Sequence, residues 1–305
     1  MKSKTLYSHG KLLLSGEYVV LDGALSLAIP TKYGQSLIVE QIEEPKLLWE
    51  SYDENKSVWF ENEFEIDPDR GALKQVHEDS ISKRLIQILN ATKDLNLGFL
   101  NNEHGFKIET HLEFPKNWGL GTSSTLINNI AQWTNVDAFS LLERTFGGSG
   151  YDIACAQNNS PIIYQIEDKK PIVKTIDFAR SFQEHLYFVH LNKKQNSRDG
   201  IKHYHKNKEN AQSAIEAINT ITLEMISSKT LEHFQILMVQ HETIISKITK
   251  QTPVKDLLFK DFDGAVKSLG AWGGDFIMVA SKHNPSTYFK DRGYETVIPY
   301  SRMAL

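Results

Sequence analysis

Residues 115–126 read Pro-Lys-Asn-Trp-Gly-Leu-Gly-Thr-Ser-Ser-Thr-Leu, and their types suit the cradling of a phosphate. Gly119 and Gly121, on either side of Leu120, let the backbone approach a ligand with no Cβ in the way. If a helix starts at Thr122, its free N–H groups point outward with the positive end of the dipole. The hydroxyls of Thr122, Ser123 and Ser124 add donors and a ligand for a phosphate-bound magnesium ion. The same residues also suit a tight turn closed by a hydroxyl cap, and on the loop alone the two readings weigh about equally. The loop is not a P-loop, because no Gly-Lys-Ser/Thr closes a four-residue gap. It is not a dinucleotide fingerprint either, since the third glycine and a later ribose-binding acid are missing.

The flanking periodicity says what must position this loop. Before it, Phe106, Ile108, Thr110, Leu112 and Phe114 alternate with a period of two, the pattern of a half-buried strand. After it, Leu126, Ile127, Ile130 and Trp133 fall at helical spacing. Upstream, residues 5–40 read as a sheet-forming start. Leu12–Leu14, Tyr18–Leu21, Ala24–Ile29 and Ser36–Val39 are strand-like runs, with a turn at Asp22-Gly23. Residues 41–72 suggest a hairpin about Asp53-Glu54-Asn55-Lys56, in which Trp49, Tyr52, Trp59, Phe60 and Phe64 pack. A helix follows from Asp79, capped by Asp79 or Ser80, with Ile81, Leu85, Ile88 and Leu89 on one face. Further helices are expected over 136–146 and from Tyr151, with Gly147-Gly148-Ser149-Gly150 between them. Ile162–Ile166 and Leu186–Leu191 read as strands, and the second runs into the polar loop 192–198. Helical spacing then dominates 208–252. No repeat or linker-like segment interrupts the chain.

Composition narrows the function. With 40% hydrophobic and 24% charged residues, 305 residues suffice for two cores of ordinary size. A net charge of −4 argues against a nucleic-acid binder driven by bulk charge. Cys155 is the single cysteine, so there is neither an internal disulfide framework nor a cysteine-rich metal site. No apolar run approaches the roughly 20 residues that span a bilayer, so no membrane partner is expected. Lys11, Glu17 and Asp22 interrupt what would have to be a signal-peptide core, and a cytoplasmic location is the expectation. The histidines show no His-Glu-x-x-His spacing, so a protein-held zinc site is not expected.

Three stretches, in order, resemble the motifs of the GHMP small-molecule kinases. His9-Gly10-Lys11-Leu12-Leu13-Leu14-Ser15-Gly16-Glu17-Tyr18 through Gly23 is similar to the first family motif, with His9 in place of its proline. The 115–126 loop resembles the Pro-x-x-x-Gly-Leu-Gly-Ser-Ser signature. Leu269-Gly270-Ala271-Trp272-Gly273-Gly274-Asp275 resembles the third motif, with Trp272 in place of the middle glycine. Between the last two, Gly148-Ser149-Gly150-Tyr151-Asp152 is similar to a segment of the phosphomevalonate kinases.

The resemblance implies an α+β fold in two halves. Residues 1–180 would form a domain like domain 2 of ribosomal protein S5 that carries the phosphate loop, and residues 181–305 a ferredoxin-like domain. ATP and acceptor would meet in the cleft between them. The implied reaction is ATP- and Mg²⁺-dependent transfer of the γ-phosphoryl group to a small anionic acceptor. The motif spellings favour 5-phosphomevalonate, with mevalonate next. Asp152 takes the place of the family's catalytic aspartate and Lys11 that of its lysine. Gly119, Leu120, Gly121, Thr122, Ser123 and Ser124 would hold the triphosphate, with Ser123 and Glu143 as magnesium ligands. Lys193, Ser197, Arg198, Gly273 and Gly274 would line the acceptor site. Helix-dipole stabilisation for Asp152, a surface salt bridge for Glu143 and a solvated basic loop for 193–198 are the structural alternatives. Glu17 reads as a partner for a nearby cation. A homodimer is a further expectation from the family. A non-catalytic member of the fold that binds a metabolite or a protein is the reading from another class, motivated by Trp272 and by the 28 residues that separate Ser123 from Asp152.

Overall fold

The computed structural model describes residues 3–66, 73–75, 79–100, 104–195, 197–208 and 211–305. Part of the expected hairpin (67–72), residue 196 of the basic loop and the Ser197 side chain lie outside the described residues. The chain divides into two compact units. One comprises residues 1–10, 33–116 and 121–157, and the other 11–32, 117–120 and 158–305. Among the described residues no helix is long and apolar enough to cross a membrane.

In the first unit, β1 (Lys4–Leu13) and β2 (Ser26–Ile42) each begin or end in the other unit. They are followed by β3 (Lys46–Tyr52), β4 (Val58–Ile66), β5 (Leu73–Gln75), α1 (Ser80–Leu95), β6 (Gly105–Leu112), α2 (Thr122–Thr134), α3 (Ala138–Thr145) and α4 (Tyr151–Gln157). The strands lie in the order β5-β4-β3-β6-β2. β3 pairs parallel to β6, and the other neighbours are antiparallel. The β3–β4 hairpin turns where Asp53 Oδ1 accepts the amides of Asn55 and Ser57, each at 2.9 Å. The alternation read for β6 is real: Ile108 and Leu112 are buried. Ile108 joins Leu37, Leu47, Trp49 and Phe64 of the sheet beneath the apolar faces of the helices, namely Leu85, Ile88 and Leu89 of α1 and Ile127 and Ile130 of α2. Asp79 caps α1 by accepting the amides of Ile81 and Ser82.

The second unit contains β7 (Ile162–Glu167), β8 (Lys170–Thr175), β9 (Leu186–His190), α5 (Ser197–Asn207), α6 (Gln212–Ser227), α7 (Leu231–Thr249) and α8 (Val254–Leu258). Then come β10 (Ala265–Ser268), β11 (Phe276–Ala280), α9 (Ser286–Lys290), β12 (Val297–Pro299) and α10 (Tyr300–Met303). The first residues of β2 pair with β7, and β7 pairs with β8. A separate antiparallel sheet has the order β10-β11-β9-β12. Counted within this sheet, the order is 2-3-1-4, the split βαβ arrangement of a ferredoxin-like domain.

Two local expectations fail, and one strand was not expected. Tyr18–Leu21 is not a strand: Val19–Asp22 forms a 3₁₀ turn, entered through Tyr18 at φ 63° and left through Gly23 at φ 87°. An apolar run of four has no period by which to choose between the two forms. β8 went unread because its side chains are nearly all exposed and show no alternation. The polar stretch 192–198 is a loop only in its first part, for α5 begins at Ser197.

Candidate functional site

Gly121 stands at φ 95° immediately before α2, and Gly119 at φ 67°, both in the left-handed region that glycine tolerates. Gly121 is the N-cap of α2, and among the described residues it supplies no side-chain cap. The hydroxyl-capped turn that the sequence left open is therefore not formed. The first amides of a helix have no partner within it, so those of Thr122, Ser123 and Ser124 are not taken up by a cap. Thr125 N–H is the first to bond within the helix, to Gly121 O at 3.0 Å.

The hydroxyls of this turn part company. Ser123 is exposed and Thr122 half-buried. Ser124 is 5% exposed, and its Oγ donates a short hydrogen bond to Asp152 Oδ2. Asp152, half-buried in the first turn of α4, also accepts the Ile153 amide at 3.1 Å. A second tie joins the same helices, from Gln157 Nε2 to Asn128 Oδ1 at 3.0 Å. Asn128 in turn donates to Ser8 Oγ at 2.8 Å, while Thr125 Oγ1 donates to Gln35 Oε1 at 2.7 Å. Part-buried polar bonds of this kind rigidify their surroundings; here they fix α2 against α4, and with it Ser124 against Asp152.

In the second unit, Lys11 lies next to the stretch 117–120. Its amide donates to Leu120 O at 2.9 Å and its ammonium to Gly119 O at 2.9 Å. Leu120 is fully buried. A Cβ on Gly119 would stand 2.3 Å from the Asp275 carboxyl carbon, so only glycine fits there. Lys193 and Arg198 are exposed, and Lys193 O accepts the Asp275 amide at 2.7 Å. Gly274 is buried against that carbonyl, at 2.6 Å from any added Cβ, whereas Gly273 is exposed at φ 99°. Trp272 is 3% exposed. Its indole packs with Tyr18, Tyr204, Ile218 and Ile245, and its amide donates to the Tyr18 hydroxyl at 2.8 Å. Glu143 and Arg144 are both exposed on α3.

Glu17 has the cation expected of it. Lys267 donates a short hydrogen bond to Glu17 Oε1 and another to Ser268 O at 2.9 Å, with both charged side chains fully buried. Burial pushes the Glu17 carboxyl up, against the pull of Lys267. His241 Nε2 accepts the Gly16 amide at 2.9 Å and lies 3.2 Å from Glu17 Oε2. Burial holds this imidazole neutral, with Lys267 adding to the effect, so the contact is not an ion pair. Glu242, beside it, accepts the Ser268 amide at 3.1 Å, and burial lifts its carboxyl to about 8. The cluster thus fastens the first-motif turn to Ser268, just ahead of the third-motif loop.

The sequence marked none of Lys267, His241, Glu242 or Asp275 for a role. The first three look like ordinary strand and helix residues until the chain closes. Asp275 carried one signal: it follows two glycines at a turn, and Asp is among the few side chains that tolerate φ above zero. A cavity of about 660 Å³ opens elsewhere in the second unit, lined by Lys32, Thr175, Asp177, Phe178 and Tyr300 among others, and holds none of the motif residues. Among the described residues no three His, Cys, Asp or Glu side chains gather as a metal site.

No family model matches the sequence, and no curated protein matches it. Solved structures do match. The mevalonate kinase of Methanococcus jannaschii has a TM-score of 0.69 at 16% identity, covering 97% of this chain and 96% of its own. A Streptococcus pneumoniae phosphomevalonate kinase, solved with phosphomevalonate and AMPPNP, has a TM-score of 0.68 at 14% identity, covering 99% and 98%. A Lactococcus lactis galactokinase complexed with galactose has a TM-score of 0.66 at 14% identity, covering 98% and 94%. Identities this low speak for the fold alone. This chain has the two-domain α+β fold of the GHMP kinases.

Proposed function

We propose that the protein is a GHMP-type small-molecule kinase that transfers the γ-phosphoryl group of ATP to a small anionic acceptor. The observation that carries the reading is the start of α2. Its N-cap, Gly121, has no side chain to offer the first amides, and within that first turn Ser124 holds the carboxylate of Asp152. Phosphoryl transfer asks a protein chiefly to position groups and to offset spread charge. Gly119 to Ser123 would present amides and hydroxyls to the triphosphate. Lys11 would offset charge on the transferred group, and Asp152 would accept the proton of an alcohol acceptor. With a phosphate as acceptor there is little proton to remove, and Asp152 would serve as an electrostatic organiser.

Magnesium suits the donor set, because Ser123 is an exposed hydroxyl at a helix start and the neighbouring Ser124 holds the Asp152 carboxylate. A bound magnesium ion supplies charge neutralisation at the phosphate oxygens, and Ser123 and Glu143 are the side chains assigned to hold it. Lys193, Ser197, Arg198, Gly273 and Gly274 are assigned to the acceptor.

5-Phosphomevalonate is the acceptor of first choice, on the Gly-Ser-Gly-Tyr-Asp spelling and the basic 193–198 stretch, with mevalonate second. The division into 1–180 and 181–305, a cytoplasmic location and a homodimer belong to the same proposal. The non-catalytic reading loses one of its motives, since the Trp272 indole is packed among Tyr18, Tyr204 and Ile245.

The test is ADP release with Mg·ATP against a panel of mevalonate, 5-phosphomevalonate, galactose and other family acceptors. Turnover with one acceptor, abolished in Asp152→Asn, is the expected result. ATP binding with no turnover across the panel would overturn the kinase reading in favour of a metabolite-binding protein.

A further inference from the structure

Asp275 sits at a junction of three segments of the second unit. Its backbone adopts φ 54°, a left-handed conformation unusual for a residue with a side chain. Its amide donates to Lys193 O at 2.7 Å, its carbonyl accepts the Leu191 amide at 2.8 Å, and its Oδ1 accepts the Gln195 amide at 3.1 Å. One residue thereby makes three bonds to the stretch 191–195. The other side of the carboxylate packs on the Cα of Gly119, whose carbonyl holds the Lys11 ammonium. Burial pushes the carboxyl up, while the Gln195 amide, Lys11, His190 and Lys194 pull it back. The carboxyl group thus stands beside the glycine assigned to phosphate and the lysine that this glycine's carbonyl holds, where a charge on it would oppose a polyphosphate.

We propose that Asp275 is a positioning residue with two tasks: it ties the 193–195 stretch to Gly119, and as counter-charge to Lys11 it holds polyphosphate affinity down. Tight binding of donor and product alike does not raise turnover, so a carboxylate that weakens both favours release of the spent nucleotide. The inference rests on the phosphate-loop reading of Gly119 and Lys11.

Two substitutions separate the tasks. Asp275→Asn keeps an oxygen for the Gln195 amide and suits the left-handed backbone, but it removes the charge. Asp275→Ala removes both. Binding of sodium tripolyphosphate and of ATP is measured by calorimetry, with Asp291→Asn, an exposed residue, as the control for net charge. Asp275→Asn is expected to bind both ligands about three- to tenfold more tightly, the effect of one partly screened charge, with the control unchanged. A role in folding alone would weaken binding instead. Tryptic cleavage after Lys193 and Lys194 should quicken in Asp275→Ala and return to the wild-type rate in Asp275→Asn.

Binding by Asp275→Asn that equals or falls below the wild type overturns the inference, as does a failure of every form to bind either ligand. Wild-type turnover with an unchanged Asp275→Asn sinks the inference alone. Tighter tripolyphosphate binding in a protein that never turns over keeps the inference and sinks the kinase reading.

Discussion

Replacing Glu242 with glutamine removes a titration that the fold makes unfavourable. The side chain is 3% exposed, and burial carries its carboxyl from 4.5 to about 8. Lys267 and the Ser268 amide pull against this, and the charge of Glu17 adds to it. The folded chain therefore keeps the proton through neutral pH, whereas the unfolded chain gives it up near 4.5. A raised pKa of this kind contributes stability that is complete below the unfolded value and drains away as pH climbs through the folded one. The slope for one proton is about 1.4 kcal/mol per pH unit, and the whole window costs on the order of 5 kcal/mol. That is a large share of the roughly 5–15 kcal/mol by which domains are stable.

Glutamine keeps an oxygen for the Ser268 amide, which Glu242 accepts at 3.1 Å, and does not titrate. Urea unfolding at pH 5, 6, 7 and 8 is the assay, with stability extrapolated from midpoint and slope. The wild type and Glu242→Gln should lie close together near pH 5 and separate in favour of the variant as pH rises to 8. Curves that run parallel across the window, or a wild type that gains on the variant, would refute the argument.

Ser124→Ala strips Asp152 of its buried hydroxyl donor; kcat should fall at least tenfold with KM for ATP little moved, and a loss confined to KM would assign the hydroxyl to the nucleotide instead. Gly119→Ala drives a Cβ into the Asp275 carboxylate and strains a left-handed backbone. It should cost about 1–3 kcal/mol, read as a lowered urea midpoint, and Asp275→Gly in the same chain should recover part of the loss. Trp272→Phe should change stability by less than about 1.5 kcal/mol, because the buried indole nitrogen has no partner among the described residues. Trp272→Ala should cost about 3–5 kcal/mol. Equal thermal denaturation midpoints for the two Trp272 variants would contradict a buried indole.

Much of the architecture was legible because burial writes a period into the chain. The alternation from Phe106 to Leu112 marks β6, and the spacing of Phe234, Leu237, Met238 and Ile245 marks α7, each with one face in a core. β8 left no such mark, because almost no part of it is buried. Val19 to Asp22 misled because an apolar run enclosed by Tyr18 and Gly23, both at positive φ, packs equally well as a turn.

The residue types of the candidate loops were legible for a related reason. A backbone that must come close to a neighbour demands glycine, and Gly119 and Gly274 show that demand in the composition of their loops. What the order of residues determined, then, was the strand–loop–helix frame about 119–124 and the short set of side chains able to serve it. What only the tertiary structure decided was pairing. Ser124 reaches Asp152 across 28 positions, Lys267 reaches Glu17 across 250, and Trp272 turns its indole into the core. Such pairs leave no periodic trace, since the burial that selects them and the charge balance that shifts Glu242 arise only once distant segments exclude water together.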